Sequence, residues 1–219
     1  MRLKLSILFL FISVNLFAQN TKPAFWDDIQ AFKKQDSAHF PEKGQILFTG
    51  SSSFTYWKDV NDYFPGYHIL NRGFGGSTLP DLIRYTPDVI YPYKPRQIVI
   101  YCGENDFASS DTVSVPTVVQ RFKTLFVLIR KKYKYVPLAY VSMKPSPSRA
   151  HLMPKYKEAN AQIRAFLAKQ KKTDFIDVYS QMLKPDGTPI DGIWRDDKLH
   201  MIAKGYAIWQ KIIEPYLKK

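Results

Sequence analysis

Short apolar runs alternate with longer amphipathic stretches from residue 44 onward, and this alternation restricts the fold more than any other feature. Each run is rich in Ile, Val, Leu, Phe or Tyr and is bounded by turn-forming residues, as is typical of a β-strand. The predicted strands are 45–49, 67–71, 97–102, 138–142 and 174–178. Nearly continuous apolar strands separated by helices predict a parallel sheet that is covered on both faces.

Helical patterns lie before and between these runs, at 24–40, 54–63, 79–87, 115–134 and 154–170. A last helix begins near Ala203, and Pro215 should end it. Its apolar residues share one face at helical spacing: Ile202, Tyr206, Trp209 and Ile213. We therefore expect a three-layer α/β/α sandwich around a mainly five-stranded parallel sheet. The predicted domain covers 44–219, and a helical extension over 19–43 precedes it.

The first 18 residues have the pattern of a secretory signal peptide. Arg2 and Lys4 form a basic head, an apolar run follows over 5–17, and the small residue Ala18 precedes a polar stretch. The run is shorter than the roughly 20 residues of a membrane-spanning helix. We expect cleavage near Ala18 and a secreted or periplasmic protein without stable membrane insertion; an uncleaved N-terminal anchor is the alternative.

The chain is strongly basic, with a net charge of +13 that falls to +11 if cleavage removes Arg2 and Lys4. Such a charge favours anionic surfaces or substrates. The lysines are dispersed and no nucleic-acid-binding motif is present, so we expect a solvated basic surface and no nucleic-acid partner. Cys102 is the only cysteine, which excludes an internal disulfide, and we expect it to be buried. No cluster has metal-site spacing, so neither a metal nor another cofactor is expected.

Polar and glycine-rich segments follow the first three predicted strands. They are Gly-Ser-Ser-Ser at 50–53, Gly-Phe-Gly-Gly at 73–76 and Gly-Glu-Asn-Asp at 103–106. A fourth segment, Asp-Lys-Leu-His at 197–200, precedes the last helix. Because ligands bind at the carboxyl ends of the strands in open α/β sheets, these segments are the candidates for a functional site.

Taken together and in this order, the four segments resemble sequence blocks of the SGNH (GDSL-type) hydrolase superfamily. The resemblance covers residues 44–215, nearly the whole predicted domain. The first block of the family is usually Gly-Asp-Ser followed by an aliphatic residue, and here Ser51 takes the place of the Asp. The resemblance implies a flavodoxin-like α/β/α fold and a serine esterase.

A serine, a histidine and an aspartate supply the parts of a nucleophilic mechanism. The hydroxyl of Ser52 needs a base to take its proton, and the imidazole of His200 suits this role because histidine titrates near neutrality. Asp197, three residues earlier, can orient the other ring nitrogen. The resemblance implies the same catalytic triad. Asp196 is the rival acid, and the two serines beside Ser52 are rival nucleophiles.

Three groups can donate hydrogen bonds to the oxyanion that forms when an ester is attacked. They are the backbone N–H of Ser52, the backbone N–H of Gly76, where a side chain would crowd the approach, and the side-chain amide of Asn105. The family uses the same Ser, Gly and Asn set. In the Asn105 loop, we expect Asp106 to stabilise the turn and Glu104 to face solvent.

We therefore expect an esterase that works through an acyl-serine intermediate on a small-molecule or glycan ester. O-acetyl or short-chain esters of carbohydrates are the first candidate substrates, by analogy with the family. A lipid-directed esterase, a thioesterase and a lysophospholipase are the alternative enzymes. A catalytically silent binding protein on the same fold is the alternative from another class, because Ser51 departs from the usual motif.

Overall fold

The computed structural model describes residues 22–219, and the predicted signal segment over 1–18 lies outside the described residues. The strands are β1 (Ile46–Gly50), β2 (Ile69–Gly73), β3 (Gln97–Tyr101), β4 (Leu138–Val141) and β5 (Thr173–Ile176). They form one sheet in the order β2-β1-β3-β4-β5. All four pairings are parallel, so the predicted five-stranded parallel sheet is confirmed.

The register of the sheet brings the ends of three strands to one place. Gly50, the last residue of β1, lies opposite Gly73 of β2 and Tyr101 of β3. The loops that leave these three strands are therefore neighbours, although they are distant in the sequence. This edge of the sheet is where three of the four candidate segments lie.

Helices cover both faces of the sheet, which confirms the three-layer arrangement. They are α1 (Trp26–Ala38), α2 (Ser52–Thr55), α3 (Val60–Tyr63), α4 (Leu79–Arg84), α5 (Thr86–Val89), α6 (Glu104–Ala108), α7 (Val115–Lys132), α8 (Met153–Leu167), α9 (Val178–Gln181) and α10 (Ala203–Ile213). One core lies under α1, α4, α5, α7 and α8, and a second lies under α2, α3 and α10.

Two stretches that were predicted as single helices are broken. The 54–63 pattern becomes the one-turn helices α2 and α3, with the fully buried Trp57 between them. The 79–87 pattern divides into α4 and α5 at Tyr85. Pro87 explains the second break, because it has no backbone N–H to donate to the carbonyl of Ile83 and its ring would clash with that carbonyl in a continuous helix. The last helix ends at Ile213 and a 3₁₀ turn containing Pro215 follows, as predicted.

The segment that precedes the sheet packs closely against it. Ile29 of α1 is buried in the first core, and Asp36 forms an ion pair with the buried Arg72 of β2. Phe25 contacts Phe74, with ring centroids 5.4 Å apart, so the start of this segment lies beside the loop after β2. Between residues 22 and 219, no helix is both long enough and apolar enough to cross a bilayer.

Candidate active site

The backbone at the end of β1 positions the serine segment. Gly50 has φ +135°, and a Cβ there would lie 2.0 Å from the carbonyl oxygen of Tyr101 on the neighbouring strand. Only glycine permits this approach. It lets the N–H of Ser51 donate to the same carbonyl at 2.9 Å. Ser52 is then the first residue of α2, at the carboxyl edge of the sheet.

Ser52, His200 and Asp197 form a continuous hydrogen-bonded row. Nε2 of His200 lies 3.0 Å from Oγ of Ser52, and Nδ1 of His200 lies 2.6 Å from Oδ2 of Asp197. An ionised carboxylate can only accept, so Nδ1 carries the proton and the Nε2 of a neutral ring accepts from the serine hydroxyl. The structure thus brings together the three residues that the sequence analysis singled out as nucleophile, base and orienting acid.

The 197–200 turn holds the Asp197 carboxylate rigidly. Its Oδ1 accepts from the backbone N–H groups of Leu199 and His200, both at 2.9 Å. Partial burial works against ionisation, but hydrogen bonds from the His200 ring and from these two backbone groups outweigh it and lower the pKa of Asp197 to about 2. The carboxylate is therefore negative at any pH near neutrality, and its charge lies beside the His200 ring.

Two backbone N–H groups at the site have no hydrogen-bond acceptor in the described part of the protein. Within residues 22–219, neither the N–H of Ser52 nor that of Gly76 donates to another group of the protein. Gly76 has φ +87°, but a Cβ there would only reach ordinary contact with the ring of Phe25, at 3.7 Å. No atom of the described protein therefore excludes a side chain here, and the expected crowding of an ester's approach stays a prediction. Glycine suits this position because of its left-handed backbone.

Asn105 lies at the pocket, as predicted, but its amide is already engaged. Nδ2 donates to Oγ of Ser51 at 2.7 Å and to the carbonyl oxygen of Ser77 at 3.0 Å, which uses both of its hydrogens. Ser51 is buried and accepts a hydrogen bond from Asn105, and Ser53 is buried as well. In the described part of the chain, Ser52 is the only serine whose hydroxyl is within hydrogen-bonding distance of His200.

These groups face a cavity of about 380 Å³. Most of the residues that line it have polar side chains, and two of these are cationic: Ser52, Thr55, Tyr56, Lys58, Gly75, Gly76, Asn105, Arg149, Leu199 and His200. Tyr56 packs edge-on against His200, with ring centroids 4.6 Å apart, and 41% of its surface is exposed. Within residues 22–219, no group of three His, Cys, Asp or Glu side chains could hold a metal ion.

The model of the GDSL-like lipase/acylhydrolase family matches residues 42–208. The chain belongs to that family. Its members hydrolyse ester bonds, and the chain is accordingly a hydrolase of this class. The match covers all five strands and the four segments that meet at the cavity, and it confirms the family resemblance that those segments indicated.

Relatives and solved structures share this fold at low sequence identity. The GDSL-like hydrolase is 24% identical over 202 residues to the platelet-activating factor acetylhydrolase IB subunit alpha1 of Rattus norvegicus, covering 85% of this chain and 84% of the relative. A GDSL-like lipase from Bacteroides thetaiotaomicron has a TM-score of 0.73 and 20% identity, covering 86% and 96%. The acetyl xylan esterase AlAXEase has a TM-score of 0.64 and 15% identity, covering 80% and 100%.

Asp106 stabilises the loop after β3, as predicted. One carboxylate oxygen accepts from the N–H of Leu79 at 2.8 Å, and the other pairs with Arg121 at 2.8 Å. This carboxylate therefore fixes the start of α4 relative to α6. The GDSL-like hydrolase thus uses Asp106 to hold the loop after β2, which contains Gly76, against the loop that contains Asn105.

Glu104 was expected to face solvent, and this expectation was wrong. Its carboxylate is buried and accepts from the Tyr101 hydroxyl, from the backbone N–H of Lys144 at 2.9 Å and from Nζ of Lys144 at 3.0 Å. Arg149, which lines the cavity, lies 3.7 Å from the same carboxylate. One signal was available: Glu104 and Lys144 follow the neighbouring strands β3 and β4, so opposite charges were placed at adjacent strand ends.

Proposed function

We propose that Ser52 is the nucleophile of a two-step esterase. Its Oγ attacks the carbonyl carbon of the ester while Nε2 of His200 takes the hydroxyl proton. The bond to the alcohol oxygen then breaks, and His200 gives the proton to that oxygen as the alcohol leaves. Water attacks the acyl-serine in the second step, with His200 again accepting the proton, and the acid and free Ser52 are released.

The row of two hydrogen bonds, 3.0 Å from Ser52 to His200 and 2.6 Å from His200 to Asp197, is the observation that carries this proposal. A serine hydroxyl rarely attacks an ester without such a base, and the base needs the correct tautomer. The geometry therefore supports the same order of roles that the sequence segments predicted.

The oxyanion is bound by the free N–H groups of Ser52 and Gly76 and by the amide of Asn105. Asn105 can contribute by sharing the hydrogen that it donates to Ser51 with the oxyanion, while it keeps its hydrogen bond to Ser77. The hydroxyl of Ser51 can share that hydrogen because a neutral acceptor holds a donor less strongly than a carboxylate does. Catalytic hydrogen bonds of this kind often reach their final geometry only in the complex.

The substrates that fit best are acetyl or short-chain acyl esters of carbohydrates. A long acyl chain requires an extended apolar groove, whereas the cavity is about 380 Å³ and Leu199 is the one aliphatic side chain among the described residues that line it. The ring of Tyr56 is partly exposed beside the reacting groups and can contact a sugar, although Arg195 covers one of its faces. The names of two similar proteins, an acetylhydrolase and an acetyl xylan esterase, both refer to acetyl esters.

A lipid-directed acetyl esterase is the second candidate, because the acetylhydrolase relative is named for platelet-activating factor. The two candidates share the acyl group and differ in the alcohol. A substrate panel therefore distinguishes them: acetylated mono- and oligosaccharides, an acetylated glycerophospholipid, an acyl thioester and 4-nitrophenyl esters of increasing chain length.

We expect acetate release from the acetylated sugars and a fall in rate with acyl length, and no turnover by Ser52→Ala. If the wild type and Ser52→Ala hydrolyse every ester equally slowly, the enzyme mechanism is wrong and the silent binding protein is favoured. If only the phospholipid is hydrolysed, the carbohydrate assignment is wrong while the mechanism stands.

We also propose that the protein acts after export, which suits an extracellular glycan. The basic and apolar pattern over 1–18 is the basis for this. The intact mass of the protein recovered after expression in a secreting host should correspond to cleavage near Ala18. A retained Met1 would contradict it.

A further inference from the structure

Two cations line the cavity beside Ser52 and His200. Arg149 belongs to the 3₁₀ turn over 147–152, and its side chain is only 17% exposed. Lys58 follows the turn after α2 and lines the same cavity. Lys58 has no carboxylate within ion-pairing distance in the described chain. The wall of the cavity therefore carries two positive charges beside the reacting groups.

Glu104, the carboxylate nearest to Arg149, is already neutralised by another group. Lys144 is buried, and its Nζ lies 3.0 Å from Oε2 of Glu104, closer than the 3.7 Å that separates Oε2 from Nη1 of Arg149. Oε1 accepts from the backbone N–H of Lys144 and from Tyr101. Two cations thus share one carboxylate, and the excess charge lies on Arg149, at the cavity wall.

The remaining carboxylate of the site cannot supply the missing negative charge. Asp197 accepts from the His200 ring and from two backbone N–H groups, and it stabilises the imidazole. A further cation, Arg195, lies over the exposed ring of Tyr56, with its guanidinium carbon 4.5 Å from the ring centroid. Arg195 therefore adds a third positive charge beside the cavity.

We propose that Arg149, assisted by Lys58, binds a carboxylate on the alcohol part of the substrate, so that the preferred substrate is an O-acetylated uronic acid residue of an acidic glycan. This inference rests on the proposed esterase function. A guanidinium presents parallel N–H donors that match the two oxygens of a carboxylate. Glu104 and the surrounding turn restrict the guanidinium, so little conformational freedom is lost when the carboxylate binds. A neutral sugar would leave Arg149 with only the carboxylate that it shares with Lys144.

The test compares two substrates that differ in charge alone: a mono-O-acetylated methyl glucuronoside and the corresponding glucuronamide. Acetate release gives kcat/KM for each, and the ratio of the two values is the measured quantity. Arg149→Gln removes the charge, and Arg149→Lys keeps it without the paired donors. Lys169→Gln is the control, since Lys169 is exposed just after α8, near the opposite edge of the sheet.

We expect the wild type to prefer the glucuronoside by about tenfold or more, as for a charge-assisted hydrogen-bonded pair. The preference should fall toward unity in Arg149→Gln, take an intermediate value in Arg149→Lys, remain in Lys169→Gln and weaken as salt is added. Each ratio compares two substrates with the same protein variant. A general loss of folding or activity lowers both kcat/KM values and leaves their ratio unchanged.

Equal rates on the two sugars, or a preference that survives in Arg149→Gln, would overturn the inference and leave the proposed function intact. Failure to release acetate from either sugar, by a protein that hydrolyses 4-nitrophenyl acetate, would overturn both the carbohydrate assignment and this inference. The outcomes of the two proposals are thereby distinguishable.

Discussion

Oγ of Ser51 lies 2.7 Å from Nδ2 of Asn105, so the residue that departs from the usual Gly-Asp-Ser block directly contacts the third of the proposed oxyanion donors. Both residues follow strands that are neighbours in the sheet, β1 and β3. The serine hydroxyl accepts an amide hydrogen without adding a negative charge beside the proposed oxyanion position. The departure is therefore compatible with catalysis and assigns Ser51 a positioning role.

A double-mutant cycle tests this role. Asn105→Ala should lower kcat by about a hundredfold or more, as expected for a lost oxyanion donor. Ser51→Ala should lower kcat by about three- to tenfold, with KM little changed, because Asn105 keeps its hydrogen bond to Ser77. In the Asn105→Ala background, Ser51→Ala should have almost no further effect on kcat. Full additivity of the two substitutions would contradict the positioning role.

The depressed pKa of Asp197 determines the form of the pH–rate profile. With a pKa of about 2, this carboxylate stays ionised above about pH 4. Loss of activity on acidification should therefore follow a single protonation, that of the imidazole base, with a slope of one in log kcat. A second protonation step in the weakly acidic range would contradict the assignment of Asp197.

The same shift gives Asp197 a pH-dependent contribution to stability. Its folded pKa lies below the unfolded value, so its hydrogen bonds stabilise the fold above about pH 4 and this contribution is lost as the pH falls through about 2. Asp197→Asn should lower kcat by about 10³-fold or more, because the amide no longer favours the required tautomer. It should also flatten the acid end of the plot of unfolding free energy against pH. An unchanged plot would contradict a stabilising contribution from ionised Asp197.

The buried pair of Glu104 and Lys144 should show strong coupling in unfolding experiments. Glu104→Gln leaves the buried ammonium without its counter-charge and should cost about 3–5 kcal/mol in urea unfolding. Adding Lys144→Met should recover a large part of that loss, because the unpaired charge is then gone.

The pH dependence of the single variant provides a second readout. Burial lowers the pKa of Lys144, an effect that Glu104 opposes. Without Glu104 the folded pKa is lower still, so the native state binds fewer protons than the unfolded state and stability rises with pH. The penalty of Glu104→Gln should therefore be smaller in alkaline than in neutral buffer. A penalty that does not vary with pH would contradict a charged Lys144 in the fold.

Gly50→Ala should be among the most destabilising single changes at the site. The new Cβ would lie 2.0 Å from the Tyr101 carbonyl oxygen, at φ +135°. We expect a loss of more than about 4 kcal/mol, or a protein that does not fold. Gly66→Ala is the matched control: its φ is +84° but no atom lies within 4 Å, so only the backbone strain of about 1–3 kcal/mol remains. If thermal unfolding shows equal losses of stability for the two variants, the contact with the Tyr101 carbonyl does not determine the effect of Gly50→Ala.

The strands could be predicted because both faces of the sheet are covered, which makes each strand a continuous apolar run. Ser52, Asn105, Asp197 and His200 could be found because they stand at strand ends or before a helix, in segments whose chemistry restricts the residue types. The breaks near Trp57 and Tyr85 were not predicted, since packing and a proline interrupt patterns that remain helical in period.

Burial of Glu104 could not be deduced from its own segment. Its partner Lys144 lies 40 residues away in the sequence, and only the pairing of β3 with β4 brings the two together. The engagement of both Asn105 hydrogens depends equally on contacts across the sheet edge. Long-range polar contacts of this kind leave no local pattern, whereas periodicity and turn residues do.

Covalent labelling tests the assignment of the nucleophile most directly. A fluorophosphonate reacts with an activated serine hydroxyl and leaves a stable phosphonyl group, which intact mass and peptide mapping detect. We predict one label per protein, located on Ser52, with labelling abolished in Ser52→Ala, strongly slowed in His200→Ala and retained in Ser53→Ala. Labelling of Ser52→Ala at the wild-type rate, or a label mapped to another residue, would contradict the account.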